Sequence, residues 1–156
     1  MSDTSSPPIV GRRTILLGGG ATLVAAGAVG AVLTYTRDRF TGDELSPPDV
    51  LAALRADDLI LVDIRRPDEW AETGIAEGAT PLDMRRDDFL PALEALVDGD
   101  LDRRIALICA RGVRSDRLSA RLAETGFTRI VDVPEGMLGS GAGPGWLARG
   151  LPVVSV

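Results

Sequence analysis

Histidine and lysine are both missing from this 156-residue chain, whose 17 basic residues are all arginine. Their absence excludes zinc sites built on imidazole, Ser-His-Asp triads, lysine Schiff bases and the phosphate loop that depends on a lysine. Cysteine occurs once, as Cys109. No intramolecular disulfide can form, so this residue is a buried bystander, an intermolecular partner or a reactive thiol. Positive charge is also in deficit. A net charge of −6 and an isoelectric point near 4.6 leave no clustered basic face for a phosphate backbone, which argues against a nucleic-acid partner. The remaining composition, 45% hydrophobic and 26% charged, suits one globular domain of roughly 100–150 residues with a short extra segment.

That extra segment lies at the start of the chain. Residues 14–36 carry no charge, are rich in Ala, Gly, Val and Leu, and follow the pair Arg12-Arg13. The run is long enough to cross a bilayer, which takes ~20 apolar residues. Its flanks are positive before and slightly negative after, so the positive-inside bias places the rest of the chain outside the cytoplasm. The stretch Gly11-Arg12-Arg13-Thr14-Ile15-Leu16-Leu17 resembles a bacterial twin-arginine export signal, although Gly11, Ile15 and Leu17 stand where other residues are common. A cleaved signal, an uncleaved membrane anchor and a buried apolar helix are the three readings. Ala26-Gly27-Ala28 offers a small-residue cleavage site well inside the run. Residues 1–40 are therefore expected to export or anchor the protein at the periplasmic face of the inner membrane, and residues 41–156 to carry the function.

From there the chain alternates between strand and helix signals. Ser46-Pro47-Pro48-Asp49 reads as a helix start running to about Arg55. Leu59–Ile64 is a continuous apolar run interrupted only by Asp63, the mark of a strand buried on both faces. Short helical and extended pieces are expected at 67–72 and 79–84. Phe89, Leu93, Leu96 and Val97 recur at helical spacing, and Gly99 ends that helix. Residues 105–108 form a second buried strand, 113–124 a helix with Leu118 and Leu122 inward, and 129–133 a third strand. This alternation predicts a parallel α/β sheet with helices on both faces, whose sites open at the carboxyl ends of the strands.

At one such end stands Cys109-Ala110-Arg111-Gly112-Val113-Arg114-Ser115. A cysteine leaving a buried strand through a glycine-containing turn into a helix sits where backbone N–H groups and the helix dipole converge, which makes an anion cradle. The same field, with a positive charge from Arg114, favours thiolate over thiol and makes Cys109 a nucleophile without histidine. Gly112 permits a positive φ or a close approach, and Ser115 offers a hydroxyl to the loop or to the helix start. Arg111 is read as either a substrate contact or a solvated side chain.

Taken with Leu61–Trp70, the segment Glu72-Thr73-Gly74-Ile75-Ala76-Glu77-Gly78-Ala79 and the ending Gly145–Val153, this loop resembles a single-domain rhodanese over residues 45–156. The resemblance implies a three-layer α/β/α fold and a sulfurtransferase that moves sulfane sulfur through a persulfide on Cys109. The backbone from Ala110 through Arg111, Gly112 and Val113 to Ser115 would hold the persulfide, and Arg114 the anionic donor. Asp63 and Arg65 match the family's structural Asp-x-Arg pair. Thiosulfate or a persulfide would donate, and a small thiol, cyanide or a partner-protein cysteine would accept, with no metal or organic cofactor required. Two positions depart from the family: Ile75 stands where a histidine is common, and Pro134–Gly145 is longer and richer in glycine than the usual Gly-Gly-Met turn.

Three alternatives stand beside this expectation. A sulfur carrier that does not turn over would use the same cysteine. A phosphatase of the related cell-cycle type would need five residues between cysteine and arginine, whereas Cys109 and Arg114 enclose four. The glycine-rich run from Gly136 lacks the strand-to-helix context of a nucleotide loop and reads as a flap or ordered connection. Arg117 and Arg121 are expected on a solvated helix face. Trp70 and Trp146 are expected in core packing, Trp146 near enough to the glycine-rich run to wall a pocket.

Overall fold

The computed structural model describes residues 39–156. The apolar 14–36 segment, with its expected role in export or anchoring, lies outside the described residues. Among the described residues no helix is long and apolar enough to cross a membrane.

The elements run β1 (Asp43–Glu44), α1 (Pro47–Arg55), β2 (Ile60–Asp63), α2 (Pro67–Thr73), β3 (Ile75–Ala76), β4 (Thr80–Pro81), α3 (Phe89–Leu96), β5 (Ile105–Ile108), α4 (Val113–Glu124), β6 (Ile130–Asp132), α5 (Gly145–Ala148) and β7 (Val153–Val154). Five strands form a sheet in the order β1-β6-β5-β2-β4, and every pairing is parallel. β5 sits in the middle, with Ile105 opposite Ile60 of β2 on one side and Ile130 of β6 on the other. A separate antiparallel pair joins β3 to β7, with Ile75 opposite Val154. The expected α/β architecture with a central parallel sheet is therefore present.

The period of two along each strand divides the apolar side chains between two cores. Val62, Ile64, Ile105 and Leu107 face Phe89 and Leu93 of α3 and Leu118 and Leu122 of α4. Leu61, Ala106, Ile108 and Val131 face the opposite way, with Val50 and Leu51 of α1 and Trp146 of α5. This two-sided burial is why β2 and β5 read as continuous apolar runs rather than alternating ones. Each fully buried Leu or Ile contributes roughly 1.5–3 kcal/mol of transfer free energy. The sheet is thus rigid beneath the loop that leaves β5.

Local details depart from the expected ones in two places. Ser46 occupies the N-cap of α1, yet its hydroxyl bonds the Asp49 carboxylate rather than a backbone amide. The two-residue strands β1, β3 and β7 were not anticipated, because two residues carry no readable period. Ile75, at the family's histidine position, is buried and contributes its backbone to β3.

Candidate active site

Cys109 follows β5 directly. Continuing the alternation of Ile105 and Leu107, it falls on the face covered by α3 and α4, and it is 1% exposed. Its Sγ lies 3.5 Å from Ser115 Oγ, and that hydroxyl donates to the Gly112 carbonyl at 3.0 Å. Among the described residues, none of the six backbone N–H groups from Ala110 to Ser115 has an acceptor in the chain. Six unclaimed donors in one turn at a helix start form a site waiting for negative charge.

A second turn holds this one in place. The Met137 N–H donates to the Cys109 carbonyl at 2.9 Å, and the Leu138 N–H to the Ala110 carbonyl at 2.8 Å. A trans peptide points its N–H opposite its C=O, so anchoring these two carbonyls turns the Ala110 and Arg111 amides away from the turn at 137–138. The two turns can approach this closely only through glycine. Gly112 has φ +81°, and a Cβ there would come within 2.1 Å of the Pro134 oxygen; Gly136 has φ +65°, and a Cβ would meet the Ala110 oxygen at 2.6 Å. Gly112→Ala is therefore expected to lower stability by about 2–4 kcal/mol, the sum of a left-handed alanine and a forced backbone shift. Urea unfolding would measure it, and a loss below about 1 kcal/mol would show that the two turns can separate freely.

The expected loop residues fall into distinct places. Ser115 is fully buried, Ala110 and Arg114 are half-buried, and Val113 and Arg111 are exposed. Arg111 donates to the Gly139 carbonyl at 3.4 Å, so it leans over the glycine-rich run. Arg114 differs from its expected role in one respect: its charge is already engaged. Its guanidinium grips Glu69 with two parallel bonds, 2.8 Å to Oε2 and 2.6 Å to Oε1. Glu69 in turn accepts the Arg66 N–H at 3.1 Å in the first turn of α2. The Arg114 bond holds the Glu69 carboxyl down at about 2, with smaller help from Arg66. Glu69 in the same way raises the Arg114 guanidinium above its ordinary value, with Cys109 adding a lesser attraction.

Asp63 and Arg65 lie below the site as a buried pair. Arg65 Nη2 sits 2.7 Å from Asp63 Oδ2 and 2.7 Å from the Gly74 carbonyl, while Nη1 reaches Thr73 Oγ1 at 2.8 Å. With a further bond to the Glu69 carbonyl at 3.3 Å, this one side chain ties the end of β2 to the body and the C-terminal end of α2. Trp146 packs on the face of the sheet opposite Cys109, donating from Nε1 to the Pro152 carbonyl at 2.9 Å, so it walls no pocket over the cysteine. Trp70 is half-buried, and Arg117 and Arg121 are exposed, as a solvated helix face requires.

Three acidic residues near the site escaped the sequence. Glu69 reads as a helix-start acid, which it also is. Glu135 is buried and takes Arg149 through two bonds, 2.9 and 2.7 Å, plus the Gly145 N–H at 2.9 Å. With the Ser140 hydroxyl on the Pro134 carbonyl, these bonds make the glycine-rich run an ordered connection. The Arg149 bond holds the Glu135 carboxyl below the usual carboxylate range. Asp132 is buried at the end of β6, and its Oδ1 has no hydrogen-bond partner. A charge inside the apolar run 130–133 was the available signal.

Comparison with known proteins adds to this geometry. The model of the rhodanese-like domain matches residues 46–139. A tRNA uridine(34) hydroxylase of Nitrobacter hamburgensis is 32% identical over 101 residues, 64% of this chain; the chain spans 39% of that relative's length. The solution structure of the polysulfide-sulfur transferase homodimer from Wolinella succinogenes is similar with a TM-score of 0.60 and 25% identity, over 87% of this chain and 93% of that one. The rhodanese-like domain of an Anabaena sp. protein aligns with a TM-score of 0.58 over 74% of this chain and 81% of that chain, and at 16% identity it speaks for the fold alone. Match and geometry together place the chain in the rhodanese-like domain family.

Proposed function

We propose that this protein is a sulfurtransferase that carries sulfane sulfur on Cys109. The observation that supports this most strongly is the run of six unclaimed amides that follows a cysteine at the end of a buried strand. In the first half-reaction the Cys109 thiolate attacks the outer sulfur of thiosulfate or of a persulfide. A bond forms between Sγ and that sulfur, the donor's S–S bond breaks, and sulfite or a thiolate leaves with the electron pair. In the second, an acceptor such as cyanide, a small thiol or a partner-protein cysteine attacks the outer sulfur, and Cys109 departs as thiolate. The loop amides stabilise the anion at each stage.

The four-residue spacing between Cys109 and Arg114 favours this reading over phosphatase chemistry, whose tetrahedral phosphate needs a longer loop. The net charge of −6 favours a small or protein acceptor over RNA. The twin-arginine-like segment supports placing the domain at the periplasmic face, exported or held to the membrane by residues 14–36. The test is turnover by the full chain with thiosulfate or glutathione persulfide as donor and cyanide as acceptor, beside hydrolysis of p-nitrophenyl phosphate. Sulfur transfer without phosphate release is the expected result. Phosphate release without sulfur uptake would overturn it, and uptake without turnover would select the carrier reading.

The Glu69–Arg114 pair bears on the donor. An anion that takes Arg114 must displace Glu69, so Glu69→Gln is expected to lower the KM for thiosulfate by about 3–10-fold, on the order of one lost charge-assisted bond. The same change costs roughly 1 kcal/mol of stability at neutral pH after solvent screening. Because the folded Glu69 carboxyl is depressed from 4.5 to about 2, its contribution is complete above pH 4.5 and is lost as pH falls towards 2. Melting curves of wild type and variant should thus converge on acidification. An unchanged KM would mean that Arg114 does not meet the donor.

A further inference from the structure

We propose that Asp132 is a positioning residue that stores the Cys109 thiol proton, with the Ser115 hydroxyl as the movable link between them. The inference rests on the nucleophilic role of Cys109 stated above and names the group that handles its proton.

The chain has no histidine or lysine to take that proton. Ser115 is fully buried and has one hydrogen to place. In the structure it goes to the Gly112 carbonyl at 3.0 Å, while Cys109 Sγ lies 3.5 Å from Ser115 Oγ. The Gly112 carbonyl also accepts the Asp116 N–H at 3.0 Å, so Ser115 can rotate away without orphaning it. Asp132 stands beside Leu107, whose side chain shares a core face with Cys109; it is 1% exposed, and its Oδ1 is unpartnered. Ser119, one turn along α4 from Ser115, is likewise buried with a free hydroxyl. Buried polar atoms without partners are rare and costly, and these two call for a role.

Other charges around Asp132 are acidic. Glu44 is its partner on β1, Asp116 faces it from α4, and the residue beside it on β5 is the apolar Leu107. Burial is the main cause that pushes the Asp132 carboxyl up to about 7; the Ser115 hydroxyl opposes it, the charges of Asp116 and Glu44 add to it, and the Val133 amide opposes it slightly. The carboxylate can therefore accept a proton near neutrality. The step balances without a co-reactant: the Cys109 S–H bond breaks with its electron pair left on sulfur, Ser115 Oγ receives that proton, and the original Ser115 hydrogen passes to Asp132. With Asp132 protonated, its O–H donates to Ser115 and the Ser115 hydrogen is free to point at the thiolate. With Asp132 ionised, Ser115 turns towards the carboxylate and the thiolate loses that bond.

The experiment is the rate of Cys109 alkylation by iodoacetamide against pH in the full chain, which needs no sulfur donor and so is independent of whether sulfur transfer occurs. Wild type should show two inflections, one near pH 7. Asp132→Asn should show one, with the thiolate midpoint lower by about one pH unit and the profiles separating above pH 7. In a Ser115→Ala background the same substitution should move the midpoint less than half as far. A single inflection in wild type overturns the proposal without recourse to any variant. Equal midpoints in wild type and a folded Asp132→Asn would also overturn it.

Discussion

Cys109→Ser is expected to reduce sulfur transfer by about a thousandfold or more, because a serine hydroxyl is neither ionised at neutral pH nor able to carry a sulfane sulfur as a persulfide. The loss should be confined to chemistry. Oxygen is smaller than sulfur and held closer to Cβ, so the change opens only a small gap beside Ser115 Oγ, now 3.5 Å from Sγ, and should cost no more than about 1–2 kcal/mol. Intact mass after exposure to thiosulfate is the direct readout: wild type gains one sulfur, and the variant gains none while retaining its melting transition. Sulfur uptake by the variant would remove Cys109 from the mechanism, since the chain holds no second cysteine.

The second large effect concerns stability. Asp63→Ala should destabilise the protein by about 3–5 kcal/mol, the cost of leaving a buried charge without its counterion. Arg65 and Asp63 are 1% and 0% exposed, and Arg65 meets both carboxylate oxygens, the nearest at 2.7 Å. The carbonyls and hydroxyl around Arg65 cannot neutralise it; they are dipoles. Replacing both partners, as in Asp63→Leu with Arg65→Met, should recover part of the loss, because no charge is then buried. Urea denaturation of the three variants separates these outcomes. Equal destabilisation by the single and double changes would show that the bonds from Arg65 to Thr73 and Gly74, rather than charge balance, hold α2 in place.

Much of this was legible in the residues themselves. The apolar runs at 59–64 and 105–108 announce strands buried on two faces, and the placement of Cys109, Gly112 and Arg114 after the second announces an anion site. Harder to read were the carboxylates. Glu69 lies 45 residues from Arg114 in the chain, and nothing in a local pattern says which arginine an acid will meet. Its position three residues into a helix supplies a sufficient local explanation, which conceals the distant one. Glu135 stands in a glycine-rich stretch that looks loose on composition, and only its bonds to Arg149 and Gly145 make that stretch ordered. Asp132 is different: an acid inside Ile130–Val133 contradicts the pattern around it, and such contradictions are where function is to be sought. The short strands β1, β3 and β7 depend on partners that are distant in sequence, so no local signal could have revealed them.

The six amides that line the Cys109 loop belong to the main chain, and this changes what mutation can do to the site. A side-chain donor can be lost by one codon change; a peptide N–H is erased only by proline. Ala110, Arg111 and Val113 can therefore drift through many residues with the cradle inherited intact, while the rim they form is rewritten for new donors or acceptors. Hereditary constraint falls instead on the conformation, at Gly112 and Gly136, where any added carbon collides with the facing backbone. A lineage built on this loop can explore partners cheaply while its means of holding negative charge stays fixed.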